Sequence, residues 1–165
     1  MRAELTPQLL QRVVVRVLEE AAFVLAEPAP RPPPFEGDVV TATLPFSRPC
    51  VGFLRLTAPP ECCTAMAANM LGVDPDDPEA AAQGFDALGE LANIQCGAIL
   101  AEIFGRDADI LMKLPEVTVG PADIQDSVQP TDTRIALLTD DDWRVDVMVR
   151  VAHWTTSSRL PGRMP

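Results

Sequence analysis

Asp86, Glu90 and Asn93 are separated by four and three positions, the intervals that bring side chains onto one face of an α-helix. Gly97 continues that face by one turn, and Pro115 follows Asn93 after 21 intervening residues. A carboxylate in such a stripe can meet a cation through a charge-assisted hydrogen bond. A carboxamide can donate and accept at any pH. The surrounding run, GFDALGELANIQCGAILAEIFG, is otherwise mostly apolar. On geometry alone two readings stand. Exposed Glu and Asn are common on helices, so the stripe is the solvated edge of a core helix. Against that, Asn is a mediocre helix-interior residue and Gly costs roughly 1 kcal/mol relative to Ala. A glycine also removes bulk and lets another surface approach, which makes the stripe a contact face.

The elements that must position this stripe follow from periodicity. Residues 7–26 carry Leu10, Val13, Val14, Val17, Leu18 and Ala21 at helical spacing, with Thr6-Pro7 as N-cap and first turn. EPAPRPPPF (27–35) ends that helix as a short, stiff connector. DVVTATLPF (38–46) and VGFLRLT (51–57) are β-rich runs joined as a hairpin through Ser47-Arg48-Pro49. Residues 61–71 form a short helix stopped by Gly72. VDPDDPE (73–79) lacks the spacing of a calcium loop and is a solvated loop leading into a helix.

The motif helix then spans about 79–104 and stops at Gly105. At about 100° per residue, Asp86, Glu90, Asn93 and Gly97 fall within an arc of roughly 60°. Phe85, Leu88, Ala92, Cys96, Ile99 and Ile103 lie to one side; Leu91, Ile94 and Ala98 lie to another. The helix is expected to pack on both sides and expose a narrow polar seam. Residues 109–119 are expected to form a strand containing Pro115. Residues 133–139 and 143–152 form a hairpin across Asp140-Asp141-Asp142. In its second strand Arg144, Asp146, Met148 and Arg150 alternate with Val145, Val147, Val149 and Val151, one face polar and one buried. The order predicts an α+β fold, an antiparallel-rich sheet packed against long helices. One domain over 1–155 is expected, with 156–165 as a flexible tail.

Composition removes several classes of function. A net charge of −11 argues against a nucleic-acid or anionic-membrane surface. The four cysteines, Cys50, Cys62, Cys63 and Cys96, contain no CxxC pair, and there is a single His. They are expected to be reduced thiols, not a zinc site. His153 and the tail residues Ser157 and Ser158 support no Ser/His/Asp arrangement, and no glycine-rich phosphate loop is present. No leader is evident in the first 27 residues, which are interrupted by Arg12, Arg16, Glu19 and Glu20. A cytoplasmic protein is the expectation.

The pattern Asp86-x3-Glu90-x2-Asn93, followed after 21 residues by Pro115, resembles the signature of the CheX, CheC and FliY chemotaxis phosphatases. All four positions match, and the order of elements over residues 5–152 is similar to CheX. A single motif helix is also CheX-like, since CheC-type members typically carry two. The resemblance implies a phosphatase acting on the aspartyl phosphate of a CheY-type response-regulator receiver domain, with the motif helix inserted at the receiver's active site. By position, Glu90 would pair with the receiver's active-site lysine, and Asn93 would align the attacking water. Asp86 would contact the partner, support Glu90, or simply be an acid near a helix start. Gly97 would give clearance, and Pro115 would shape the strand end beside the motif helix. Mg²⁺ would be held by the receiver, leaving no cofactor on this chain. The resemblance also implies a possible homodimer through sheet edges, for which strand 143–152 is a candidate. A receiver-binding or scaffold module without hydrolysis is the alternative.

Overall fold

The structure is a computed structural model and describes residues 3–122 and 128–154. Helix α1 spans Pro7–Ala22, and Thr6 caps it by accepting the Leu9 N–H at 3.1 Å. It is shorter than the expected 7–26. Phe23 takes the left-handed conformation and its N–H closes onto Leu18 O. The chain then enters β1 (Ala26–Pro28), which pairs antiparallel with β6 (Thr133–Thr139). The proline-rich connector therefore begins as an edge strand, a position where a missing N–H does no harm.

Strands β2 (Asp38–Arg48) and β3 (Cys50–Ala58) form the expected hairpin. Helix α2 (Pro60–Leu71) ends on Gly72, and α3 (Pro78–Phe104) is the motif helix. Asp77 caps α3 by accepting the Glu79 N–H at 2.9 Å, and the Gly105 N–H returns to Ala101 O at its other end. Strand β7 (Arg144–Trp154) completes a seven-stranded antiparallel sheet in the order β1-β6-β7-β3-β2-β4, with β5 also on β2. Strand β7 pairs with both β3 and β6 and so lies inside the sheet. Residues 143–152 are therefore not the free edge suggested for dimerisation.

The expected strand over 109–119 is broken in two. Leu111–Met112 forms β4 and Glu116–Pro121 forms β5, both on the outer edge of β2. Pro115 sits in the break, where its missing N–H interrupts pairing. Within the β2–β4 pairing the register also shifts between Phe46 and Arg48.

Alternation along the strands puts Val40, Ala42, Leu44, Leu54, Leu56, Val145, Val147 and Val149 into one core with the three helices. The other face carries the polar set. Arg144 makes two bonds of 2.7 Å to Asp146, and Arg150 makes bonds of 2.7 and 2.8 Å to Asp132. The Phe53 ring receives Arg55 and Arg150 at 5.3 and 5.1 Å. Helix α3 is long and apolar enough to cross a membrane, but more than half of that stretch is buried among the other elements, as in a core helix. The tail from 155 on, with Ser157, Ser158, Arg159 and Arg163, lies outside the described residues, as do the side chains of His153 and Trp154.

The Asp132 side chain is fully buried. The fork of Arg150 beside it, with the Gln129 N–H and the charge of Arg134, holds its carboxyl below the ordinary value of 3.8, against the opposing effect of burial. Such a group stabilises the fold above its unfolded pKa, and the contribution is lost as pH falls through the folded one. Asp132→Asn is accordingly expected to cost about 2 kcal/mol at pH 7. The gap from wild type should close below roughly pH 4. Urea denaturation at pH 7 and pH 3 checks this; a gap that does not change with pH would remove the ion pair from the account.

Candidate functional site

Helix α3 buries residues along most of its circumference, among them Ala87, Leu88, Leu91, Ala92, Cys96, Ile99 and Ile103. Asp86, Glu90 and Asn93 are exposed, and Gly97 is half-buried. The expected seam is present, and it brings the three polar residues together on one accessible helix edge. Two of its apolar neighbours differ from expectation: Phe85 and Ile94 are 47% and 37% exposed instead of packed.

The glycines explain how this edge is framed. Gly89, Asn93 and Gly97 recur every four residues and share a stripe. A methyl group at Gly89 would lie 3.3 Å from Pro115 Cγ and 3.4 Å from Val117 Cγ2. One at Gly97 would lie 3.7 Å from Met112 Cε. The segment from Met112 to Pro115 thus runs antiparallel along α3, with Asn93 bracketed between its two contacts. Its distance fits, since eight helical residues rise about 12 Å and three extended residues reach about 10 Å. The Pro115 ring lies against Gly89, at the break between β4 and β5. The surface that approaches Gly97 is the chain's own Met112.

Gly89 was the residue missed from sequence. Its signal was available as a second glycine four residues before Asn93. Nearer the N-terminus, Gly84 plays a similar part toward α2, where a methyl would lie 3.3 Å from the Thr64 nitrogen. These small residues let α3 sink between α2 and the β4–β5 edge.

Other polar groups near the seam do not extend it. Gln95 is fully buried two residues beyond Asn93, on the opposite side of the helix. Neither its oxygen nor its nitrogen reaches a hydrogen-bond partner among the described residues. A buried carboxamide left unpaired costs about 1–3 kcal/mol. Gln95→Met, close in shape, is expected to stabilise the fold by about 1 kcal/mol, read from the urea midpoint. A loss of stability instead would mean that the carboxamide is engaged. All four cysteines are free and buried. Burial pushes the Cys63 and Cys96 thiols up to about 12, and raises Cys50 and Cys62 as well. None is a ready thiolate near neutral pH.

Chemically, the seam offers one carboxylate and one carboxamide adjacent on a helix edge, a second carboxylate one turn before them, and, among the described residues, no enclosing wall. It can present a charge and orient a small polar molecule against something brought to it. Several solved structures share the fold. A chemotaxis protein CheX from Desulfovibrio desulfuricans is 20% identical, with 88% of this chain and 97% of that one covered and a TM-score of 0.68. A chemotaxis protein from Desulfovibrio vulgaris Hildenborough is 22% identical, with 88% and 95% covered and a TM-score of 0.67. A CheX–CheY–BeF3–Mg²⁺ complex from Borrelia burgdorferi contains a chain 15% identical, with 88% and 97% covered and a TM-score of 0.65. No curated protein sequence matches the chain. The family model for the chemotaxis phosphatase CheX matches residues 40–131, more than half of the chain and all of the seam. The α+β fold, the single motif helix and that match agree: the chain belongs to the CheX family of chemotaxis phosphatases.

Proposed function

We propose that this chain hydrolyses the aspartyl phosphate of a CheY-type receiver domain in cytoplasmic signalling. The observation that carries this reading is the exposure of Glu90 and Asn93 side by side on a helix that buries its apolar faces in the core. An exposed edge cannot enclose a small substrate, because binding sites for small molecules are concave. It suits a protein partner that carries its own pocket, and a structural relative is a CheX–CheY complex.

In this reading α3 enters the receiver's active site. Glu90 accepts hydrogen bonds from a receiver lysine, a charge-assisted contact that fixes depth and register. Asp86, one turn earlier, keeps the local potential negative for that ammonium. Gly97, half-buried, carries the Met112 side chain at the far end of the seam. The Asn93 carboxamide oxygen accepts from a water and holds it in line with the phosphorus. The water oxygen bonds to phosphorus as the bond to the aspartyl oxygen breaks. The receiver recovers its carboxylate, inorganic phosphate leaves, and the water's proton passes to a phosphate oxygen or to solvent. A Mg²⁺ held by the receiver would offset phosphoryl charge. This chain supplies position, which accounts for much of the barrier reduction in phosphoryl transfer.

The test follows acyl-phosphate decay at a fixed amount of this protein over increasing concentrations of phosphorylated receiver domains encoded in the same genome. Wild type should accelerate decay and saturate. Glu90→Ala should raise the half-saturating receiver concentration by about tenfold or more, the worth of a charged hydrogen bond. Receiver binding without acceleration would select a docking module of the same fold. Neither binding nor acceleration with any receiver would sink the reading.

A further inference from the structure

Beside the seam stands a feature that the hydrolytic residues do not account for. Leu114 is 90% exposed, the most exposed of the large apolar side chains among the described residues. A lone exposed leucine needs no explanation, but this one is held in place on both sides. The Lys113 N–H donates to Pro45 O at 2.8 Å, and Pro115 is seated on Gly89. Leu114 therefore projects from a pinned turn rather than a slack loop, alongside Asn93. Two further apolar side chains border the same stretch: Phe85, 47% exposed, four residues before Gly89 on its stripe, and Leu111, 45% exposed. Lys113 is the only lysine in a chain of net charge −11. It is exposed at this same turn, with no ion pair to a described residue.

We infer that Lys113-Leu114 is a second docking element for the phosphorylated receiver, working opposite α3. This rests on the proposed phosphatase reading and assigns part of its affinity to the β4–β5 turn. The occupant follows from continuity and charge. Whatever covers Glu90 and Asn93 must also cover a turn pinned to the same helix stripe. Leu114 inserts into an apolar depression of the receiver beside its phosphorylated aspartate. Lys113, the only lysine of an otherwise acidic chain, meets acidic groups of the receiver there. The polar seam thus acquires an apolar anchor, the arrangement that gives interfaces their concentrated binding energy. Neither residue touches the reacting atoms, so both act on affinity and not on the chemical step.

Leu114→Ser and Lys113→Ser should leave the urea midpoint unchanged, since both side chains are exposed. With phosphorylated receiver as substrate, Leu114→Ser should raise the half-saturating concentration about tenfold while the saturated rate stays within twofold of wild type. Lys113→Ser should raise it by a smaller factor that shrinks as salt is added. If Glu90→Ala weakens saturation but both turn variants saturate like wild type, the docking inference is overturned and the phosphatase reading stands. A fall in the saturated rate without a change in half-saturation would also overturn it. If wild type accelerates no receiver, both fail together.

Discussion

Asn93→Ala should lose most of the acceleration of receiver dephosphorylation, about 100-fold in the saturated rate, while receiver affinity stays near that of wild type. The fold will not confuse the result. Asn93 is exposed, and Ala is the better helix former. The helix on either side is pinned at Gly89 by Pro115 and at Gly97 by Met112. What is removed is one carboxamide able to accept from a water. A drop in the maximal rate with unchanged half-saturation marks an interaction made in the transition state and not in the docked ground state. Asn93→Asp sharpens the point. It keeps the shape and an acceptor, but sets a negative charge beside the phosphoryl group and removes the N–H donors. It should not restore the rate. Full activity in Asn93→Ala would move the chemistry away from this helix edge, whatever the docking experiments show.

The contrast with Glu90 separates the two roles. A residue that anchors the helix should act mainly on saturation, and one that aligns water should act mainly on rate. The sequence supports that division only through family resemblance, because spacing places both side chains on one face without ranking them. The structure adds a physical asymmetry. Asn93 is the residue framed on both sides by glycines that carry the β4–β5 segment. Glu90 lies off that stripe, on the open side.

Much of this was legible from pattern. Alternation in 144–151 put Val145, Val147 and Val149 on the core face, because a strand's period of two leaves little freedom once one face is buried; Met148, placed on the polar face by the same alternation, is buried as well. The four-residue repeats of the motif helix located the seam. Chain ends of elements were less legible. Nothing in the periodicity of 7–26 revealed that Phe23 would turn left-handed and release Ala26–Pro28 to pair with β6. That choice is tertiary, made by a partner strand more than 100 residues later in the chain. Likewise Phe85 and Ile94 have the apolarity of core residues but lie beyond the edges of what α3 packs against. Pro115 was visible as a motif position, yet its contact with Gly89 required knowing that the strand breaks and runs back along the helix. Composition cannot report such a contact. Only the small residues facing it leave a trace, and glycine has many other reasons to occur.

Gly52→Ala is the substitution expected to damage stability most, by about 4 kcal/mol or more. Gly52 lies in β3 opposite Phe46 of β2 and Val151 of β7. A methyl group there would collide with the Arg150 carbonyl oxygen and sit only 2.7 Å from the Phe46 ring. A carbonyl within a paired strand has little room to yield, and the Phe46 ring is 2% exposed and closed in by the core. The register between β3 and β7 already shifts at Val51/Gly52, so the irregularity exists to let the two backbones and the ring meet over a bare Cα. The consequence reaches the seam. Phe46 also pairs with Met112, and Met112 covers Gly97 on α3. A displaced ring therefore loosens the turn that carries Lys113 and Leu114 and frames Asn93. Thermal unfolding should shift down by roughly 10 °C or more for a chain of this size. The fraction still folded should saturate with receiver less readily than wild type. A midpoint within about 1 kcal/mol of wild type would show that β3 and β7 can part without cost, and the rigid path from Gly52 to the seam would have to be abandoned.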